Sequence, residues 1–366
     1  MWTGEWAWWR WRWTGPAGCC GSRCTRALNK RPGSGEARGQ GSGGAGEQPA
    51  IRNSQSAIHN PLVVIVGPTA VGKTALSLHL AGPLNGEVIS ADSRLFYRGM
   101  DIGTAKPTRE ERARVPHHLI DIAEPDETVG LAEFQEWAYS AIEDIHARGR
   151  LPLLVGGAGQ YVRAVVEGWR VPRVPPDPAL RAELEAQAER EGATALHVRL
   201  ALLDPAAAQR IDPRNVRRVI RALEVCLITG QPISEQQRKQ LPPYSILQIG
   251  LTMERATLYA RADQRVEAMM AAGLEDEVRR LVRAGYGWDL PAMSGLGYGQ
   301  FRAYFEGQAT LEEAVAEIKR TTRRFIRHQY NWFRSDDPAI RWFDVTETTA
   351  GEIEVVVKVW LAGDRS

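Results

Sequence analysis

An apolar run, Leu62 to Val66, leads without a break into Gly67-Pro68-Thr69-Ala70-Val71-Gly72-Lys73-Thr74. The run reads as a buried strand, and the residues after it have the spacing of a phosphate-binding loop. Ala75, Leu76, Leu78 and Leu80 then continue as a helix-forming stretch. Such a loop works where a strand hands the chain to a helix N-terminus, because the glycines let backbone N–H groups close on phosphate oxygens there. Lys73 is placed to reach the outer phosphates, and Thr74 to offer a hydroxyl to Mg²⁺. The motif predicts an α/β domain that grips a polyphosphate. It does not name the reaction, since kinases, nucleotide hydrolases and transferases of other groups share it.

Composition narrows the class. At 366 residues, 25% charged and 43% apolar, the chain has the make-up of a globular protein large enough for two domains. No apolar run reaches membrane-spanning length, so no membrane partner is expected. Net charge is +2, but residues 1–60 hold eight Lys or Arg against three Glu, which leaves the rest of the chain net negative. A uniformly basic nucleic-acid binder is thereby excluded, and any such surface must be local. Cys19, Cys20 and Cys24 lie in the N-terminal stretch and Cys226 stands alone. No disulfide framework follows, which points to a reducing cytoplasm. No neighbouring histidine or second cysteine pair completes a zinc site.

Six of the twelve tryptophans fall between Met1 and Trp13, after which Gly, Ser, Arg and Gln dominate. Residues 1–60 lack helical or strand periodicity and read as an unstructured extension or a start assigned too far upstream. A membrane-surface segment and a transit peptide are the alternatives. Residues 61–171 then alternate strands, Val63–Val66, Glu87–Ser90 and Leu151–Val155, with helix-like stretches such as Leu131–Arg148. The proline-rich Val171–Pro178 breaks this rhythm, and residues 172–244 read as a helical insertion. A returning strand, Ser245–Leu251, helices around Arg255–Ala284 and Leu311–Phe333, a short strand Arg341–Val345 and a last helix complete residues 245–366. The expected architecture is α/β, a three-layer phosphate-loop fold on a mainly parallel sheet, with an inserted helical domain.

Ligands in such sheets sit at the carboxyl ends of the strands, where the loop, Asp92 and Gly156 all fall. Asp92 is placed to act as a general base or Mg²⁺ ligand, or to cap the following turn. The stretch Arg94–Pro107 mixes aromatic, cationic and glycine residues without regular periodicity and reads as a functional loop. No strand ends in the carboxylate pair of ATP-driven motors, although a small kinase remains compatible with Lys73, Thr74 and Asp92. Arg214, Arg217, Arg218 and Arg221 follow a helical spacing opposite Val216, Val219, Ile220 and Leu223. Lys319 or Arg320, then Arg323, Arg324 and Arg327, form a second set among Phe325, Tyr330, Trp332 and Phe333. Each set alone reads equally as a solvated face; both together in a net-negative body favour a phosphate backbone as partner. His117-His118 lacks the spacing of a helical metal pair and reads as packing or loop hydrogen bonding, ahead of a strand-like Leu119-Ile120-Asp121.

In sequence order, Gly67–Thr74, Ser90–Ser93, Tyr97–Pro107, Pro116–Asp121, Leu154–Gly157, Arg217–Val225, Gly297-Tyr298 and Thr322-Arg323 resemble the bacterial tRNA dimethylallyltransferases. The resemblance spans Pro61 to about Phe343. It implies transfer of a dimethylallyl group from dimethylallyl diphosphate to N6 of the adenosine 3′ of the anticodon, position 37, in tRNA, giving N6-isopentenyladenosine. By the same resemblance Gly67, Pro68, Thr69, Ala70, Val71, Gly72, Lys73 and Thr74 hold the diphosphate, with Mg²⁺ on Thr74. Asp92 matches the general base, and Thr69 and Arg265 match residues beside the diphosphate. Asp92, Ser93, Arg94, Leu95, Ala158, Arg217, Arg218, Val219, Ile220 and Arg221 fall at tRNA-contacting positions. The family usually carries threonine where this chain has Ala158. A monomer is expected, because an asymmetric tRNA needs no symmetric partner. A small-molecule kinase and a plain RNA-binding module explain fewer of these features.

Overall fold

The computed structural model describes residues 58–237 and 239–363. The expectations for the extension up to residue 57, Cys19, Cys20 and Cys24 included, lie outside the described residues. Six strands, β1 Pro61–Val66, β2 Gly86–Ser90, β3 His117–His118, β4 Leu151–Val155, β5 Ser245–Thr252 and β6 Ile340–Asp344, form one sheet in the order β3-β2-β4-β1-β5-β6. Every pairing is parallel. Strand β1 sits inside, with Val64 opposite Leu154 of β4 and Gln248 of β5. That position explains its continuous apolar run, since a parallel strand covered on both faces has no solvent side to make polar.

The two faces are covered separately. Val63, Ile65, Val88, Leu153 and Ile249 pack against α1 Lys73–Ala81, α10 Arg255–Ala271, α13 Leu311–Trp332 and α14 Ala350–Leu361. Leu62, Val64, Val66, Ile89 and Leu154 face α3 Leu131–Ala147 and α4 Gly159–Val166. The result is the three-layer α/β arrangement of the phosphate-loop fold. Between β2 and β3 runs α2 Arg109–Arg114, opened by a Thr108–Glu111 capping box.

The edge strand β3 falls on the histidines and stops before the apolar run that follows them. Leu119 and Asp121 both take positive φ, 60° and 56°. Asp121 is held there by the buried ammonium of Lys106 at 2.5 Å and by Arg112 at 2.7 Å. His118 meets the buried carboxylate of Glu87 at 2.6 Å, and His117 the carbonyl of Val115 at 2.7 Å, so both rings serve packing.

Between α4 and β5 the chain forms five helices: α5 Pro178–Glu191, α6 Ala193–Leu203, α7 Pro205–Arg210, α8 Val216–Thr229 and α9 Ile233–Gln236. Asp177 caps α5 ahead of Pro178, a residue suited to the first helical position. Asn215 opens α8, and Gly230 closes it at φ 66°. These helices share a core of Leu184, Leu196, Leu200, Val219, Ile220 and Leu223. Its polar centre is Glu224, fully buried, which accepts from Arg181 at 2.8 Å, from Arg221 at 2.5 Å and from the Asp177 N–H at 2.8 Å.

Burial alone would raise the Glu224 pKa, but these donors hold it down to about 2. A folded pKa below the unfolded value contributes stability that is complete above about pH 4.5 and disappears as pH falls toward 2. Glu224→Gln is therefore expected to lose about 2 kcal/mol of stability at pH 7, after discounting for the partly open arginines. In urea denaturation followed against pH, the gap between wild type and variant should close on acidification.

Candidate active site

The phosphate-binding loop leaves β1 and enters α1 through Gly72, whose φ of 115° is one that only glycine adopts without strain. No side chain caps α1 and no acidic residue occupies its first turn, so its N-terminal N–H groups present a positive end to an anion. The Lys73 ammonium donates to the carbonyls of Gly67 at 2.9 Å and Pro68 at 2.8 Å. Burial brings its pKa from 10.5 to about 8; Asp92 opposes that shift and Arg265, on α10, adds to it. The three charges thus act on one another in a single place, although the chain separates them widely. Arg265 too is pulled below its ordinary value by burial, with Asp92 acting against the shift.

Beside them lies a cavity of about 390 Å³. The segment after β1 contributes Thr69, that after β2 Asp92, Ser93 and Arg94, and that after β4 Gly157, Ala158, Gly159, Gln160 and Tyr161. Gly103, Thr104, Leu296 and Gly297 add to it, and the rest of the wall is one face of α10, including Arg265, Val266 and Met269, and one face of α13, from Ile318 through Thr322, Phe325 and Gln329 to Trp332. One carboxylate oxygen of Asp92 accepts the Arg94 N–H at 3.0 Å, so the residue caps its turn and also faces the cavity. Arg94 is fixed by donation to the Pro291 carbonyl at 2.6 Å. Leu95 is not among the lining residues; its carbonyl accepts the Asp121 N–H at 3.1 Å.

The arginine sets are smaller than their spacing implies. Arg214 precedes the Asn215 cap and grips Asp212 at 2.7 Å, while Arg221 belongs to the Glu224 cluster. Val219 and Ile220 are buried in the core of the helical insertion, so their side chains offer no surface to a ligand. Arg217 and Arg218 remain exposed and, among the described residues, without an ion pair. On α13, Lys319 pairs with Glu267, Arg320 with Glu317 and Arg323 with Asp263. The Glu267 and Asp263 pairs zip α13 antiparallel to α10 and, among the described residues, leave Arg324 and Arg327 as the exposed cations of that run without an ion pair.

A groove of about 960 Å³ runs between the α/β body and the helical insertion. Arg170, Arg173, Arg181, Arg210, Arg221 and Lys239 line it with Glu133, Glu136 and Trp169; Arg173, Arg181, Arg221 and Lys239 are in ion pairs. Gln160 lines both this groove and the smaller cavity, so the two spaces adjoin at the start of α4.

Residues 95–336 match the family described as IPP transferase. The chain belongs to the IPP transferase family. A tRNA dimethylallyltransferase of Roseiflexus sp. (strain RS-1) is 63% identical over 274 residues, 75% of this chain and 90% of that protein. The Chloroflexus aggregans protein of the same name is 59% identical, covering 75% and 93%. The solved tRNA isopentenylpyrophosphate transferase of Bacillus halodurans is 46% identical with a TM-score of 0.62, covering 84% of this chain and 97% of that one. A eukaryotic dimethylallyltransferase solved acting on tRNA is 26% identical with a TM-score of 0.71, covering 83% and 80%.

In this family member two polar residues with no local sequence signal hold the site together. Gln329, nearly buried, bonds to the phosphate-binding loop from 260 positions away. Glu277, on α11 Leu274–Arg283, is fully buried and accepts the backbone N–H groups of Asp101, Ile102 and Gly103 at 2.8–3.0 Å and the Tyr298 hydroxyl at 2.7 Å. It thereby shapes the segment whose Gly103 and Thr104 line the cavity. Glu277→Ala strands three N–H donors, and a loss of about 3 kcal/mol is expected in urea denaturation at neutral pH.

Proposed function

We propose that this chain is a tRNA dimethylallyltransferase that transfers a dimethylallyl group from dimethylallyl diphosphate to N6 of the adenosine at position 37, 3′-adjacent to the anticodon. The observation that carries the reading is that two spaces adjoin at Gln160. One is lined by Thr69 of the anion-binding loop, a carboxylate and a half-buried arginine; the other is a groove between two lobes where Arg170 and Arg210, among the described residues, carry no ion pair. A small charged donor and a polyanionic acceptor each have a place there. The phosphate end is defined by Gly67–Thr74, and the apolar lining of Val266, Met269, Leu296 and Ile318 suits a short hydrocarbon.

The adenosine leaves its stack to enter the cavity, as bases that undergo chemistry generally do. Its N6 attacks the allylic carbon, the carbon–oxygen bond breaks, and the electron pair leaves with diphosphate. Lys73, Arg265 and the N-terminus of α1 stabilise the charge gathering on the leaving group. Asp92 accepts the N6 proton, which is where a carboxylate most helps an exocyclic amine. Arg217 and Arg218 contact the tRNA backbone, with Arg94 and Ser93 near the flipped nucleotide. Ala158, at the N-terminal cap of α4, supplies no hydroxyl to that nucleotide.

The exposed hydroxyl of Thr74 in the first turn of α1 and the carboxylate of Asp92 are hard oxygen donors, and among the described residues no cluster of three His, Cys, Asp or Glu forms a separate metal cage. This fits Mg²⁺ held largely through substrate phosphates. When bound on Thr74 it supplies additional charge neutralisation at the diphosphate. No described helix is long and apolar enough to cross a membrane. We place the enzyme in the cytoplasm, with its tRNA substrate.

Purified protein incubated with Mg²⁺, dimethylallyl diphosphate and unmodified tRNA should yield adenosine heavier by one dimethylallyl unit on nucleoside mass analysis. Absence of that product on several tRNAs, with ATP turnover present, would favour a kinase instead. Asp92→Asn is expected to lower kcat by about a hundredfold or more while leaving tRNA affinity within about twofold. Arg217 and Arg218 both replaced by Ala should weaken tRNA binding and reduce the slope of log affinity against log salt by about 2. An unchanged slope would return those arginines to an ordinary solvated surface.

A further inference from the structure

We propose that Gln329 is a positioning residue that sets the spacing between the phosphate-binding loop and Asp92. The inference rests on the assignment of Gly67–Thr74 to the diphosphate. The amide of Gln329 faces two loops at once: its oxygen accepts the Thr69 N–H at 2.8 Å, and its nitrogen donates to the Gly157 carbonyl at 3.1 Å. An amide carries both an acceptor and a donor at one end of the side chain, which an ionised carboxylate of the same length does not. The residue is 4% exposed, so neither bond is readily replaced by water.

From Gly157 the link continues to Asp92. A Cβ on Gly157 would lie 2.3 Å from the Gln329 nitrogen, so the turn after β4 is pressed against the amide. A Cβ on Gly156 would lie 2.3 Å from the carbonyl oxygen of Ala91, so the same turn is pressed against the residue before Asp92. The Ala91 N–H also donates to the Val155 carbonyl at 2.8 Å. The loops after β1, β4 and β2 are therefore stacked in sheet order, with Gln329 as the polar tie between the first two. Their spacing fixes how far the departing diphosphate lies from the group that takes the N6 proton.

Gln329→Met keeps the size and removes both bonds. It is expected to raise the KM for dimethylallyl diphosphate and the Kd for inorganic diphosphate by about tenfold each, with tRNA affinity unchanged. Gln329→Glu provides the discriminating readout. Its protonated form reproduces one donor and one acceptor, so its activity relative to wild type should rise as pH is lowered toward 5, a recovery that lost packing would not produce. A Met variant with wild-type diphosphate affinity, or a Glu variant whose pH profile parallels wild type, would overturn the proposal. If the Met variant fails a thermal-melt check for folding, the Glu profile decides. Diphosphate binding is read without any transfer reaction, so a wild type that binds diphosphate but prenylates no tRNA would count against the functional reading and leave this inference standing.

Discussion

Parallel pairing of β4 between β1 and β2 places three chain segments side by side at the carboxyl end of the sheet. In a parallel sheet the strand backbones are hydrogen-bonded on both sides and the side chains buried on both faces, which leaves little freedom to the strand ends. The phosphate-binding loop, the Asp92 turn and the Gly156-Gly157 turn inherit that rigidity. Catalytic geometry here is thus largely a property of the sheet. The helices of the second half, α10 and α13, supply the wall that closes over it.

Charge is distributed in the same economical manner. Buried carboxylates on the structural side, Glu87, Glu224 and Glu277, are saturated with donors and fix strands, helices and a loop. Around the cavity the balance differs: Lys73 and Arg265 are half-buried with Asp92 the carboxylate whose charge acts on both. A site with more cation than anion is poised for a multiply charged anion. The surface arginines follow a similar division, since most of the α13 run is neutralised by α10 or by its own helix, leaving few free guanidinium groups to meet a phosphate backbone.

The sequence made the α/β core legible because buried parallel strands and a glycine-spaced loop leave local marks: β1, β2, β4, β5 and β6 fall within a residue or two of their expected places. Strand β3 falls on His117–His118 and not on the apolar run at Leu119-Ile120, where the ion pairs on Asp121 hold the chain out of the sheet. Thr69, Asp92, Ser93, Arg94, Ala158 and Arg265 do converge on one cavity. Helical spacing, however, cannot tell a free arginine from a paired one, and so Arg214 and Arg221 were counted toward a face they do not form. Gln329 and Glu277 leave no local mark because their backbone partners lie 172 to 260 positions away in the chain.

That separation bears on how the protein is made. A ribosome makes the phosphate-binding loop first, and the amide that ties it to the β4 turn follows 260 positions later, on a helix that walls the cavity. Contacts of such long range form late and slowly, after the loop-closure entropy has been met. A nascent chain that already has its anion-binding motif therefore lacks an enclosed site until α13 has been made.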